Sequence, residues 1–156
     1  MDQLFWLLEG RLAGRAGPDK APWDLAALRA AGVGAILSVN DGLACHPDDF
    51  GAHGIAYARV PLSANAPPEP GDDWHCARAL PIADAFVTEQ LAAGRVTVVH
   101  CTSGKDRTGL YLAYHLVRHH GASPRAAIAR VRAVRPIAFS APGWDELAAF
   151  VLERAG

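Results

Sequence analysis

The chain alternates short apolar runs with longer stretches in which apolar residues recur every three or four positions. The short runs predict strands at residues 4–8, 35–39, 55–62 and 96–100, the first continuing through a turn into Arg11 and Leu12. The run VTVVH at residues 96–100 is the pattern of a fully buried strand. The early strands are separated by a helical stretch, and later helical stretches dominate.

The longer stretches predict helices. Residues 23–31 carry Leu25 and Leu28 at helical spacing, and a stretch from the proline-rich loop at residues 65–71 to Ala93 should be kinked or restarted at Pro81. Three further helices are predicted. One has an apolar face of Leu110, Ala113, Tyr114 and Val117, and the next begins at Ser123-Pro124, as N-cap and first helical residue, and runs to about Arg135. Pro142 can start the last helix, which has Trp144, Leu147 and Val151 on one face. We therefore predict an α/β fold with a central, mostly parallel sheet flanked by helices.

Length and charge exclude several classes of protein. The 156 residues favour one domain, 1–156, and a net charge of −1 argues against a nucleic-acid-binding protein. No apolar run approaches the roughly 18 residues of a membrane-spanning helix, and the amino end lacks a basic leader. We expect a cytoplasmic monomer without stable membrane insertion.

Three cysteines, Cys45, Cys76 and Cys101, form an odd and unpatterned set. Their spacing matches neither a disulfide framework nor a paired zinc site, so one of them could be a working thiol. His115 and His119 have the i,i+4 spacing of metal ligands, but no glutamate accompanies them as in H-E-x-x-H. We expect His119 and His120 to complement the carboxyl end of their helix instead. No metal and no cofactor is predicted.

The segment HCTSGKDRTG at residues 100–109 carries the chemistry, because a buried strand enters it and an amphipathic helix leaves it. In that setting the backbone N–H groups of the loop can form an anion-binding nest, and the helix adds its positive dipole end. Gly104 permits the turn. The same positive field favours the nucleophilic thiolate of Cys101, and Arg107 can bind two phosphate oxygens with its planar fork. A nucleotide P-loop fits poorly, because Asp106 follows Lys105 where that motif needs Ser or Thr.

This segment resembles the H-C-x5-R-[ST]-G signature of the protein tyrosine phosphatase superfamily, and the compact chain is most similar to the small dual-specificity members. The resemblance implies hydrolysis of phosphate monoesters through a phosphocysteine intermediate, without metal. It implies the following roles: Cys101 as nucleophile, Arg107 as phosphate clamp, Thr108 as hydroxyl partner of the sulfur, and Thr102, Ser103, Gly104, Lys105 and Asp106 as the phosphate cradle. From its place before the cysteine, we expect His100 to orient the start of the loop.

The general acid departs from the family pattern. Related small phosphatases place an aspartate in a loop that often reads P-D-N-x-P-P, whereas this chain has Ala64 at that position. Asp106, Asp72 and Asp73 are the candidates to protonate the leaving oxygen, in that order. Without an acid, only substrates with good leaving groups would be hydrolysed.

Lys105 resembles the lysine of the tensin-homologue lipid phosphatases and suggests a phosphoinositide substrate; a solvent-facing rim position is the alternative. The expected partner is therefore a phosphorylated protein or a phosphoinositide. Cys45 resembles a redox partner of the nucleophile in those phosphatases, so a reversible Cys45–Cys101 bond is one hypothesis and a buried spectator thiol the other. Arg135 could reach the rim of the site, and Ser140 could position water.

Two rival functions remain open. A pseudophosphatase that binds phospho-ligands without turning them over is favoured by Ala64, whereas the intact Cys101, Arg107 and Thr108 favour the enzyme. A sulfur-transfer domain would also carry a cysteine loop, but nothing in sulfur transfer demands the Arg107 clamp.

Overall fold

The computed structural model describes residues 3–155, so the terminal residues 1, 2 and 156 of the predicted domain lie outside the described residues. Eleven helices and strands follow one another in this range. In chain order they are β1 (Phe5–Leu8), β2 (Leu12–Arg15), α1 (Leu25–Ala30), β3 (Val33–Ser38), α2 (Pro47–Ala52), β4 (Ala56–Arg59), α3 (Asp72–Ala92), β5 (Val96–His100), α4 (Asp106–His119), α5 (Pro124–Val134) and α6 (Trp144–Ala155).

The five strands form one sheet in the order β1-β2-β5-β3-β4. Strands β1 and β2 pair antiparallel, and the other three pairings are parallel. Strand β5 therefore lies in the centre, between β2 and β3. Because parallel strands end at the same edge of a sheet, the loops that follow β2, β3 and β5 come together there, and the loop containing Cys101 is one of them.

Alternate residues of the central strands enter two different cores, as the two-residue period of a strand requires. Ile36 and Val98 pack with α1 and α2 in the smaller cluster, while Leu37 and Val99 pack with the later helices in the larger one. The predicted α/β fold class with a mostly parallel central sheet flanked by helices is thus observed.

Pro81 does not interrupt its helix, and the predicted restart there is wrong. Helix α3 runs continuously from Asp72 to Ala92. Proline lacks the N–H that would bond the carbonyl of Ala77, but both residues lie on the exposed face, where water can serve that carbonyl. The helix therefore passes Pro81 without leaving a buried group unpaired.

Helix α5 begins as the sequence predicts: the Ser123 hydroxyl accepts from the N–H of Ala126 and Pro124 is the first helical residue. Helix α2 was not predicted, because only Phe50 of its six residues is buried and its polar composition shows no apolar period. Within residues 3–155, no helix is long and apolar enough to cross a membrane.

Candidate active site

Cys101 is the first residue after β5 and is 2% exposed, at the start of a loop that leads into α4. The carbonyl groups of this loop are all bonded to the elements around it. The five bonds are His100 Nδ1 to Cys101 O (3.0 Å), Gly17 N to Thr102 O (3.0 Å), Arg135 Nη2 to Ser103 O (2.7 Å), Arg135 Nε to Gly104 O (3.2 Å) and Gly109 N to Lys105 O (3.2 Å).

These bonds determine the direction of the intervening N–H groups. In a trans peptide the C=O of one residue and the N–H of the next point in opposite directions. The N–H groups of residues 102–106 therefore turn away from the surrounding elements and toward the interior of the loop. Among the residues that the structure describes, none of these five groups donates a hydrogen bond to the protein. The loop is a set of unpaired donors around Cys101, as an anion-binding nest requires.

Two glycines let neighbouring segments close on the loop. Gly104 has φ +66°, and a side chain there would place its Cβ 2.5 Å from the carbonyl oxygen of Arg15. A Cβ at Gly17 would overlap the carbonyl oxygen of Cys101. The segment after β2 thus packs directly against the loop, and only glycine permits this approach at either position.

His100 holds the start of the loop through a directed chain of hydrogen bonds. Burial lowers the pKa of His100 to about 4, so the ring is neutral near pH 7 and carries one N–H. That N–H must be on Nδ1, because its partner, the Cys101 carbonyl, can only accept. Nε2 then accepts from the Ser38 hydroxyl at 2.6 Å, and Ser38 accepts from Tyr57 at 2.7 Å. The orienting role predicted for His100 has a partner on each side of the ring.

Arg107 lies in the first turn of α4, partly exposed, with Nη2 3.3 Å from the Thr102 hydroxyl oxygen. Asn40, after β3, donates to the same oxygen at 3.3 Å. Thr108 is fully buried, and its hydroxyl oxygen has no hydrogen-bond partner in the part of the chain that the structure describes. The bond from Thr108 to the cysteine sulfur is therefore not formed in this structure, and the hydroxyl is free to make one.

Lys105 and Asp106 join the loop to the segment before α6. Lys105 Nζ lies 2.8 Å from Asp106 Oδ2 and 3.2 Å from the hydroxyl of Ser140. The other oxygen of Asp106 accepts from the N–H of Ala141 at 3.4 Å. Lys105 does not simply face solvent, since its side chain is 24% exposed and paired. Ser140 lies at the rim of the site beside it.

Asp72, the first residue of α3, is hydrogen-bonded to the loop that precedes the helix. Its carboxylate accepts from the N–H of Glu69 at 2.7 Å and from the amide of Asn65 at 3.0 Å. The bond from Glu69, followed by those from Asn65 and Ser63, lowers the pKa of Asp72. A carboxyl group with a lowered pKa carries its proton in a smaller fraction of molecules at neutral pH, so it is a poorer general acid there.

The other cysteines are buried and free, as Cys101 is. Cys45 lies in the smaller core with its sulfur 3.6 Å from His100 Nε2, and burial raises the pKa of its thiol. Cys101 belongs to the larger core on the other side of the sheet. Burial raises the pKa of Cys76, in α3, to about 11. Reduced Cys45 is a buried thiol in this structure, and its exchange with Cys101 stays a hypothesis.

Sequence reasoning missed several partners from distant segments, namely Gly17, Ser38, Asn40, Tyr57 and Asp84. Asp84 is the clearest case, because it stands on α3 and meets two histidines of α4. His119 stands in the last turn of α4, as predicted, and its Nε2 also lies 2.8 Å from Asp84 Oδ2, a contact that the sequence did not indicate. Nothing in the sequence pointed to this contact beyond the apolar patterns that predicted the two helices.

Comparisons with known proteins match the segment that contains the loop. A model of the tyrosine phosphatase family matches residues 79–129, which include the whole Cys101 loop. Human dual specificity phosphatase 28 is 32% identical over 97 residues, covering 62% of this chain and 52% of that protein. The phosphatidylglycerophosphate phosphatase PTPMT1 of Arabidopsis thaliana is 33% identical over 60 residues, covering 38% of this chain and 18% of that protein. The chain thus spans about half or less of the curated relatives it matches.

Solved structures show the same fold. Tk-PTP in the active form superposes with a TM-score of 0.79 at 21% identity, covering 98% of each chain. PTPMT1 in complex with PI(5)P superposes with a TM-score of 0.71 at 16% identity, covering 99% of this chain and 97% of that one. The matching family and both curated relatives are phosphatases. The predicted resemblance to the protein tyrosine phosphatase superfamily and the predicted fold class are confirmed.

Proposed function

We propose that residues 1–156 form one domain that hydrolyses phosphate monoesters, with Cys101 as the nucleophile. The observation that carries this proposal is the ring of inward N–H groups at residues 102–106, placed around a cysteine. Five unpaired donors at the start of a helix suit a dianionic phosphate, and this site lies beside the sulfur that would attack it.

The reaction would have two steps. The Cys101 thiolate attacks phosphorus, the phosphorus–oxygen bond breaks, and the leaving oxygen takes a proton from a general acid. Water then attacks the phosphocysteine, the phosphorus–sulfur bond breaks, and inorganic phosphate and the thiolate are released. Arg107 would bind two equatorial oxygens in both steps, and the free hydroxyl of Thr108 would donate to the departing sulfur.

The general acid is proposed in the order Asp106, Asp72, Asp73. Asp106 belongs to the loop itself, although its carboxylate is engaged by Lys105 and Ala141. Asp72 is disfavoured by its lowered pKa. Replacing each by asparagine and comparing aryl with alkyl phosphates tests the order, since loss of the acid slows substrates with poor leaving groups most.

The substrate class is a phosphoprotein or a phosphoinositide, and Lys105 supports the second. Its ammonium group stands on the loop beside Ser140, where a second phosphate of a polyanionic headgroup could replace the contact with Asp106. PTPMT1, which superposes on this chain, forms a complex with PI(5)P, and this supports the second class. Phosphate release from phosphotyrosyl peptides and from phosphoinositides, measured for wild type and Lys105→Met, would separate the two classes. We also propose that the protein is a cytoplasmic monomer.

The decisive experiment is hydrolysis of an aryl phosphate, with chelator present, by wild type, Cys101→Ser and Arg107→Lys. An aryl phosphate has a good leaving group, so a weak general acid would not hide the nucleophile. Arg125→Lys is the matched control, because Arg125 is exposed on α5. We expect loss of turnover in the first variant, a decrease of about 100-fold or more in the second, and no change in the control.

A pseudophosphatase is the second candidate, favoured by Ala64 at the expected position of the acid. It predicts that reduced wild-type protein binds phosphate or vanadate at the loop but does not turn over an aryl phosphate. Turnover that survives Cys101→Ser would contradict both candidates, since neither allows chemistry without the thiolate.

A further inference from the structure

A second polar cluster lies at the opposite end of α4 from the Cys101 loop. It contains Asp84 of α3 with His115 and His119 of α4, and one ligand atom from each lies within 4.8 Å of the others. His119 Nε2 is 2.8 Å from Asp84 Oδ2, and His115 Nδ1 is 3.6 Å from Asp84 Oδ1. The cluster has no part in the proposed hydrolysis, and the inference drawn from it does not depend on that activity.

The side chain of Asp84 is 12% exposed, and each of its two oxygens lies beside a polar group of α4. The hydroxyl of Tyr111 lies 2.9 Å from Oδ1 and His119 Nε2 lies 2.8 Å from Oδ2. A largely buried carboxyl group with two neighbouring imidazoles has the composition of a metal site as well as of a hydrogen-bonded triad.

We propose that Asp84, His115 and His119 bind one divalent transition-metal ion, with zinc as the ion that fits best. Two imidazole nitrogens and one carboxylate oxygen are the donor set that zinc, cobalt and nickel accept, whereas magnesium and calcium prefer oxygen ligands throughout. Solvent would occupy the fourth position.

The distances fit such an ion after small side-chain adjustments. In a tetrahedral site with bonds of about 2.0–2.1 Å, ligand atoms stand about 3.3 Å apart. The contact of His119 Nε2 with Asp84 Oδ2, at 2.8 Å, would lengthen slightly when both atoms bind one ion, whereas the 3.6 Å contact of His115 Nδ1 is with the other oxygen, Oδ1. The largest separation, 4.8 Å at most, would need to shrink, which rotation of the His119 side chain can supply because it is 35% exposed.

Tyr111 provides the orienting contact that metal ligands usually have. Its hydroxyl donates to Asp84 Oδ1 at 2.9 Å, which leaves Oδ2 to face His119 and the ion. Entry is open from the solvent, because His119 lines two surface cavities, one of which includes Glu89 and the other His120. A bound ion would link α3 to α4.

The test uses the full chain with Cys101→Ser, which removes the one thiol expected to bind metal by itself and leaves the buried Cys45 and Cys76. Zinc is titrated by calorimetry, cobalt by its visible absorption, and the unfolding temperature is followed with and without zinc. We expect one equivalent to bind, the cobalt spectrum to be that of a four-coordinate site, and the unfolding temperature to rise by several degrees.

Asp84→Asn and His119→Gln are the ligand variants, and His46→Gln is the control because His46 is exposed and makes no capping bond. Each ligand variant should bind zinc at least tenfold more weakly and lose the cobalt spectrum, while the control should keep both. His119→Gln should fold, because the His119 side chain is 35% exposed, and circular dichroism verifies this. Absence of stoichiometric binding, or equal binding in all three variants, would overturn the proposal. Activity of wild type in chelator tests the proposed function separately.

Discussion

The two ends of helix α4 hold polar clusters that are built in different ways. At the amino end, the groups that face a ligand are backbone N–H groups of residues 102–106, directed by bonds to the carbonyls behind them. At the carboxyl end, the groups are three side chains, Asp84, His115 and His119, on regular helices. The first site depends on the path of the chain, whereas the second depends on the identity of three residues.

Gly104→Ala should have the largest effect, and it should affect only the site at the amino end of α4. A Cβ at Gly104 meets the Arg15 carbonyl at 2.5 Å and forces a non-glycine residue to φ +66°, so the loop must shift. We expect the proposed kcat/KM to fall by roughly 100-fold or more, because a displacement of about 1 Å is enough for that loss. Zinc binding at the other end should not change.

Gly121→Ala is the matched control, since Gly121 has φ +65° but no atom within 4 Å of the added Cβ. It imposes the same backbone strain without the clash. Equal losses of activity in both variants would show that strain alone, and not the contact with Arg15, explains the effect.

The buried His100 beside the loop should make the stability of the protein depend on pH. His100 is fully buried with a pKa lowered to about 4, so it stabilises the fold above the ordinary histidine value and loses that stabilisation as pH falls from about 6.5 toward 4. The loss is about 3 kcal/mol at most. Urea unfolding of wild type between pH 7 and pH 4 should show the decrease.

In His100→Gln the pH dependence over that interval should be flatter, even if the variant is less stable overall. His53→Gln is the control, because His53 is exposed and should leave the wild-type slope unchanged. A slope in His100→Gln as steep as in wild type would assign the titration to another group.

Arg135→Ala tests whether the loop needs its outer bonds. The guanidinium of Arg135 binds the carbonyls of Ser103 and Gly104, and its removal leaves two peptide groups free to rotate. We expect about a tenfold lower kcat/KM, with weaker inhibition by inorganic phosphate in the same proportion. Arg125→Ala, at an exposed position near the start of α5, the helix that ends just before Arg135, should have no effect. A change in stability without any change in phosphate binding would refute the positioning role.

Asp84→Asn should have the smallest effect on stability, and it alters only the polar cluster at the carboxyl end of α4. Because the folded pKa of Asp84 is lowered, its ionisation stabilises the protein above the ordinary aspartate range, and this contribution is lost as pH falls through the folded pKa. The difference in unfolding temperature between wild type and variant should therefore shrink on acidification. Asp48→Asn, at an exposed position of α2, is the control variant.

Much of the fold could be predicted because its elements have strong local patterns. The strand β5 and the start of α5 were predicted at the residues observed, since a buried apolar run and a Ser-Pro cap are unambiguous. Helix α2 was missed because a single buried residue, Phe50, fixes it to the core. The path of α3 past Pro81 depends on which face of the helix is exposed, and this is a tertiary property.

In the candidate site, too, residues within one short segment could be predicted and residues from distant segments could not. The signature residues Cys101, Arg107 and Thr108 could be predicted because they lie in one short segment with fixed spacing. Their supports could not, because Ser38 and Gly17 are brought to the loop by the pairing of β5 with β3 and β2. For the same reason, no spacing in the sequence joins Asp84 to His119, which meet only when α3 packs beside α4.

The contact of the loop with the segment after β2 has a consequence for folding. Gly17 and Arg15 lie near the beginning of the chain, and they touch Thr102 and Gly104 only after β2 has paired with β5. A contact between such distant segments has a high entropic cost and forms late in folding. In a nascent or partly folded chain, Cys101 would be an ordinary thiol without an anion site, so the appearance of phosphate binding would report that the amino-terminal hairpin has docked.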